Sequence, residues 1–106
     1  MPVTLEKSLA LTIRRCRVAR QWSQGDLCRK AGCGLKTVVE MEHYRQIPRL
    51  ATIAEFAGAL GMTASALIHL AEQLLPAYEE EEKRDAALTE ICMQASGKAN
   101  KRKANR

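Results

Sequence analysis

Residues 24–43, QGDLCRKAGCGLKTVVEMEH, constrain the fold of this chain most, because they predict two short helices joined by a tight turn. Gly32 stands between the two helical stretches, where its missing side chain permits a left-handed turn. Ser23 precedes the first stretch as a candidate N-cap, and Asp26 follows three residues later in a near capping box. Small or apolar residues stand where the two helices must interlock: Leu27, Cys28, Ala31, Cys33, Val38 and Met41. The segment therefore predicts a helix-turn-helix unit.

Four further helices are predicted around this pair, which gives an all-α fold. Apolar residues recur at helical spacing in each stretch. Pro76 is expected to stop the fifth helix, and Gly97 is expected to end the sixth. The additional helices cover residues 5–20, residues 49–60, a stretch from a cap at Thr63 or Ser65 to Leu75, and residues 77–96.

This pattern predicts three parts of the chain. Five short helices cannot each bury an apolar face alone, so residues 1–76 are expected to fold as one compact domain. Residues 77–97 are predicted to form an acidic C-terminal helix that contacts a second copy or another protein. Residues 98–106 are predicted to be a disordered basic tail.

Composition limits the classes of function open to this chain. Hydrophobic residues make up 46%, which suits a globular protein with a core, and aromatic residues make up only 4%, which disfavours RNA binding by base stacking. No apolar run approaches the ~20 residues of a membrane-spanning helix, and the N-terminus lacks the features of a signal peptide. A cytoplasmic protein is expected.

The cysteines and histidines do not have the spacing of a metal site. No CxxC pair is present, and neither His43 nor His69 stands at zinc-finger spacing from a cysteine. The cysteines are expected to be reduced core residues, with a redox-sensing role for one of them as the open alternative. With no phosphate-binding glycine loop and no nucleophile–base pairing apparent, we expect no metal, no cofactor and no enzymatic activity. The cysteines are Cys16, Cys28, Cys33 and Cys92.

The net charge of +5 is unevenly distributed. Residues 1–76 carry ten basic and six acidic side chains, whereas residues 77–97 carry two basic and six acidic ones. Residues 98–106 carry five basic side chains and no acidic one. A basic domain favours a polyanionic partner through non-specific attraction, although the basic tail is equally compatible with a solvated terminus.

From Ile13 to Ile68 the chain resembles the Xre-type helix-turn-helix domain shared by Cro and the lambdoid phage repressors. The joint spacing of several short elements carries the resemblance: Arg17, Ser23-Gln24, Leu27, Ala31-Gly32, Val38, Met41-Glu42, Pro48 and Leu60-Gly61. The resemblance implies a compact five-helix lambda-repressor-like domain that binds double-stranded DNA. Its recognition helix, residues 34–44, would enter the major groove.

Three groups of functional residues are predicted, of which the resemblance implies the base-reading group, the phosphate contact of Gln24 and the ion pair. One group reads bases, one contacts phosphates, and one is a buried ion pair that joins the first and third helices. The base-reading group is Leu35, Lys36, Val39 and Glu40, the phosphate group is Gln24, Thr37, His43, Arg45 and Arg49, and the ion pair is Arg17 and Glu42.

The base-reading assignments have a plainer alternative. Lys36 has the chemistry to donate to guanine and Glu40 to accept from cytosine, while Leu35 or Val39 fits a thymine methyl group. Lys36 and Glu40 are also four residues apart, which is the spacing of an ordinary solvated ion pair on a helix.

Two residues depart from the family pattern. Tyr44 stands two residues past Glu42, where the family commonly has glycine. Because tyrosine is strained in a left-handed turn, the third helix is expected to run further or to end differently. Cys28 replaces the usual alanine where the two helices meet, and its larger sulfur predicts a slightly shifted crossing.

The sequence therefore predicts a sequence-specific transcriptional regulator, specifically a repressor that binds an inverted-repeat operator as a homodimer. The dimer would form through the fifth helix (Leu67, Leu70 and Leu74) or through residues 77–96. The alternative is an antitoxin-like protein that neutralises a protein partner through residues 77–106 and autoregulates its operon. No membrane partner is expected, and the location would be cytoplasmic and nucleoid-associated.

Overall fold

The computed structural model describes residues 3–44 and 48–104, with side chains up to residue 95. Within these residues every regular element is an α-helix, which confirms the all-α fold. The five helices are α1 (Leu5–Ala19), α2 (Gln24–Ala31), α3 (Leu35–Glu42), α4 (Leu50–Ala59) and α5 (Ala64–Ala104).

Local signals place both ends of α1. Thr4 is extended, and its side chain accepts a hydrogen bond from the backbone N–H of Lys7 at 3.2 Å. This cap satisfies one of the N–H groups that have no partner inside a helix, and Glu6 adds a negative charge at the positive end of the helix dipole. After Ala19 the chain turns sharply, since Gln21 has a left-handed φ of 58°. The turn leads directly into α2.

The core lies between α1, α2, α3, α4 and the first part of α5. Each of these segments contributes apolar side chains from one face, as the periodicity of the sequence predicts. Ser8 is buried among them, and its hydroxyl donates to the carbonyl of Ala71 at 2.6 Å, which joins α1 to α5. The largest fully buried apolar side chains are Phe56, Ile13, Leu27, Met41, Leu67 and Val38.

The last helix differs from the prediction. α5 continues through Pro76 and Gly97 to Ala104, so the predicted stop at Pro76 and the separate sixth helix are wrong. A proline inside a helix costs about 3 kcal/mol. Strong helix formers stand on both sides of Pro76, which favours continuing the helix across it.

The tail prediction is corrected in the same way. The backbone of residues 98–104 is helical, whereas the sequence suggested disorder. Alanine, lysine and arginine are good helix formers, and positive charge near a helix C-terminus interacts favourably with the helix dipole.

The chain divides into two compact units, residues 1–76 and residues 77–106. The first contains α1 to α4, the start of α5 and the apolar core. The second consists of the remainder of α5, where Leu88, Ile91 and Met93 are exposed.

Candidate nucleic-acid interface

The two helices α2 and α3 are fixed by strong local signals at their ends. Ser23 and Asp26 form a complete capping box: the Ser23 hydroxyl accepts from the Asp26 N–H at 3.0 Å, and the Asp26 carboxylate accepts from the Ser23 N–H at 2.8 Å. Gly32 ends α2 with a left-handed φ of 77°. The carbonyl of Cys28 accepts hydrogen bonds from the backbone N–H groups of Gly32 and Cys33, at 2.9 and 3.1 Å. The predicted turn between the helices is therefore present.

The capping box predicts a pH dependence of stability. The pKa of Asp26 is lowered, chiefly by the hydrogen bond from the Ser23 backbone, then by the Ser23 side chain and by Arg29. Because the pKa of Asp26 is lower in the folded state, its ionised carboxylate stabilises the fold at pH values above the unfolded pKa of about 3.9. This stabilisation is lost as the pH falls through the lower pKa of the folded state. We expect Asp26→Asn to lose less stability than the wild type between pH 5 and about pH 2, as measured by urea unfolding. Equal losses in both proteins would contradict this.

α3 has one buried and one outward face. Val38 and Met41 are fully buried, whereas Leu35 is half exposed at the start of the helix. Lys36 lies outward, but Val39 is only partly exposed. The four residues predicted to read bases thus differ in accessibility, and the first turn of α3 is the most accessible part.

Lys36 and Glu40 lie on this outward side and face each other. Their Nζ and Oε1 atoms are 3.9 Å apart, and their side chains are 87% and 22% exposed. This contact is the ordinary helix-surface pair that the spacing allows. Because an exposed pair of this kind contributes little to stability, both groups can exchange it for other partners at small cost.

Most of the residues predicted to contact phosphates lie at the ends of helices. Gln24 is the first residue of α2, and Arg49 is the exposed N-cap of α4. His43 is the exposed C-cap of α3, and Thr37 is partly exposed within it. Arg45 lies outside the described residues. None of the described ones is among the buried residues.

Glu42 holds α1 and α3 together through a buried network. Arg17 donates from Nε and Nη2 to its two carboxylate oxygens, both at 2.9 Å, so the pair is bidentate. Arg17 also donates from Nη1 to the carbonyl of Trp22 at 2.7 Å. Gln24 donates to Glu42 Oε1 at 3.3 Å, and Arg14 lies 3.9 Å from the same oxygen. The network therefore connects α1, the start of α2 and α3.

Two of these contacts were not anticipated from the sequence. Gln24 was expected to face phosphate, yet its side-chain amide donates to Glu42. The carbonyl of Trp22 gives Arg17 a third acceptor. No sequence pattern signals the contact between Gln24 and Glu42, because it depends on where two helices meet. The contact between Arg17 and Trp22 depends on the sharp turn that follows α1.

Tyr44 adopts a left-handed conformation, in which glycine is the usual residue. α3 ends at Glu42, and Tyr44 has the left-handed φ of 59°, so both forms of the expectation, a longer third helix and a different ending, are wrong. The ammonium group of Lys7 lies 5.5 Å from the centroid of the Tyr44 ring. This cation–π contact stabilises the conformation by about 0.5–1 kcal/mol and offsets part of the backbone strain.

The cysteines are free thiols. Cys16, Cys28 and Cys33 are partly buried and Cys92 is exposed. Burial, followed by the effect of Cys28, raises the pKa of Cys33, so this thiol stays protonated at neutral pH. Among the described residues, no group of histidine, cysteine and acidic side chains could hold a metal ion.

No single described helix is long and apolar enough to cross a membrane. Only α4 together with the described part of α5 has the length and apolar composition of such a span, and these two helices are bent by 90° relative to each other.

The compact α2–α3 unit within a small all-helical domain defines a helix-turn-helix protein. The chain is similar to a hypothetical transcription factor, NHTF, from Neisseria, with 35% identity and a TM-score of 0.57, over 61% of this chain and 75% of that one. It therefore belongs to the same family as NHTF. It also shares its fold with the clp gene regulator ClgR from Corynebacterium glutamicum, at 16% identity and a TM-score of 0.65, over 87% of this chain and 94% of that one. No protein-family model and no curated protein sequence matches the chain.

Proposed function

We propose that this chain is a sequence-specific DNA-binding regulator of the Xre type, and that it represses transcription by occupying an inverted-repeat operator as a homodimer. The observation that carries the proposal is the outward face of α3, which presents Leu35 and Lys36 while Val38 and Met41 anchor the opposite face in the core. An α-helix held this way fits the major groove of B-DNA. The kinship with NHTF, a hypothetical transcription factor, supports the same class of function.

The charges of the domain support a DNA partner. Residues 1–76 carry ten basic and six acidic side chains. Lys36 supplies a donor for guanine, and Glu40 supplies an acceptor for cytosine. Arg49 and His43, at the ends of neighbouring helices, are suited to phosphate contacts that fix the register of α3.

The small size of a single DNA-binding module is the reason for proposing a dimer, and the volume that the dimer occupies on DNA is the reason for proposing repression. A single module of this kind makes few base contacts, so two copies spaced by one helical turn of DNA, about 34–36 Å, are needed for useful discrimination. Occupying the operator excludes other proteins by volume alone and needs no further activity. Such a protein would work in the cytoplasm, associated with the nucleoid.

The proposal predicts loss of sequence discrimination when the outward face of α3 is changed. The preferred site is first obtained by selecting bound sequences from random duplex DNA. The double variant Lys36→Ala, Glu40→Ala is then expected to lose about 10- to 100-fold in preference for that site over a scrambled duplex, because each good base contact contributes about 1–3 kcal/mol of discrimination. Affinity would be measured by fluorescence anisotropy at fixed salt.

A matched control separates this effect from a general loss of charge. The variant Arg15→Ala, Glu72→Ala also keeps the net charge at +5 but changes exposed residues of α1 and α5 that lie outside α3. It is expected to retain the preference of the wild type. Unchanged discrimination in the α3 variant, with its fold intact by circular dichroism, would overturn the assignment of α3 as the reading helix.

A further inference from the structure

The exposed part of α5 carries an apolar stripe that its own unit leaves uncovered. Leu88 and Ile91 are 60% and 63% exposed, and Cys92 is exposed beside them. Together with Ala95 they recur at spacings of three and four residues, so they lie on one side of the helix. The stripe is centred between residues 91 and 92.

The charges along the same helix are arranged about the same centre. Residues 79–82 are four consecutive glutamates and Asp85 follows them, whereas residues 98–103 contain four basic residues and no acidic one. At 1.5 Å of rise per residue, the acidic block and the basic block each lie roughly 15 Å from the centre of the stripe, on opposite sides. Glu80 and Lys83 form a local pair at 3.7 Å, but residues 77–97 keep an excess of four negative charges.

We propose that this stripe pairs with the same stripe of a second copy, with the two helices antiparallel about the position between residues 91 and 92. In this arrangement Leu88 faces the small Ala95 of the second copy, and Ile91 lies against Cys92. The acidic block of each copy lies along the basic block of the other. A parallel pair would place like charges together along both blocks, so the charge pattern selects the antiparallel one.

A second copy is a better occupant than an unrelated protein because the helix is complementary to itself. A two-fold interface must use the same surface on both copies, and one helix here supplies the large and small apolar residues as well as both charge signs. This inference rests on the homodimer of the proposed function and names its interface as residues 79–103. It replaces the alternative dimer surface on Leu67, Leu70 and Leu74.

The apolar contribution is tested on the full chain without DNA. Leu88→Glu, Ile91→Glu is expected to weaken self-association by more than about tenfold in sedimentation equilibrium, because buried apolar anchors dominate such interfaces. Ala86→Glu is the control, since Ala86 is exposed on the opposite side of the same helix. It is expected to associate like the wild type. Equal association of the stripe variant and the control would overturn the proposal.

Charge reversal tests the orientation. Changing the four glutamates at 79–82 to lysine is expected to abolish the dimer, and also changing the four basic residues at 98–103 to glutamate is expected to restore it. A parallel pair would gain nothing from the second change. In a Cys92→Ser background, Glu81→Cys mixed with Arg102→Cys is expected to cross-link between the two variants, whereas cross-linking of either variant with itself would overturn the proposal.

These outcomes are independent of DNA reading. If the wild-type dimer shows no preferred DNA site, the proposed function is overturned and the helix pairing still stands. A monomer that still discriminates its operator would overturn the pairing and the homodimer of the proposed function, but not DNA reading by α3. A co-purifying protein that requires residues 77–106, with no self-association of the purified chain, would overturn the pairing in favour of a foreign partner.

Discussion

Replacing Glu42 with alanine is expected to lower the free energy of unfolding by roughly 3–5 kcal/mol. The change removes the carboxylate that accepts two hydrogen bonds from Arg17 and one from Gln24. Arg17 would keep the carbonyl of Trp22 as an acceptor, but its charge would remain largely buried without a counter-charge. Leaving such a charge uncompensated is far more costly than losing an exposed ion pair. Urea unfolding followed by circular dichroism measures the effect.

Two further variants identify the cause of that loss. Glu40→Ala removes a carboxylate from the same helix, but one whose partner Lys36 is exposed, and it is expected to change stability by less than about 0.5 kcal/mol. Arg17→Met, Glu42→Leu removes both charges and is expected to recover most of the loss, because apolar side chains can replace a buried ion pair. If Glu42→Ala unfolds at the wild-type urea concentration, the network does not hold the helices together.

Replacing Phe56 with alanine is expected to cost a similar amount, about 3–5 kcal/mol, for a different reason. Phe56 lies on α4 and is the largest fully buried side chain among the described residues. Truncation removes apolar burial and leaves a cavity that neighbouring helices fill only in part. Because a small domain has only about 5–15 kcal/mol of stability, this loss would remove a large share of the total.

The control for this second prediction lies on the same helix. Leu50 begins α4 and is mostly exposed, so Leu50→Ala is expected to change stability by less than about 0.5 kcal/mol. The melting temperature and the urea midpoint should both separate the two variants. A Phe56→Ala variant as stable as Leu50→Ala would mean that α4 does not anchor the core.

Short-range signals explain what could be predicted from the sequence. The capping box at Ser23, the turn glycine Gly32 and the apolar spacing of Val38 and Met41 each act within a few residues. The resemblance supplied the pairing of Arg17 with Glu42, and the structure contains that contact. These features defined the two-helix unit and its inward face.

Longer-range contacts explain what could not be predicted. Gln24 is separated from Glu42 by 18 residues, so no local pattern reveals their hydrogen bond. Tyr44 violates the local preference for glycine in a left-handed turn and gains a contact from Lys7 on another helix.

Pro76 is a separate case, because it concerns local preferences alone. It was interpreted as the end of a helix because a proline inside a helix is costly, whereas the helix formers on both sides outweigh that cost.

The sequence by itself therefore determined the helical class, the ends of α2 and the face of α3 that enters the core, because periodicity and capping are local properties. Only the tertiary structure decided which outward residues are accessible, how Gln24 joins the ion pair and how Tyr44 ends the third helix. Each of these depends on side chains that separate helices bring together, and the free energy of such contacts is not encoded in any short stretch of the chain.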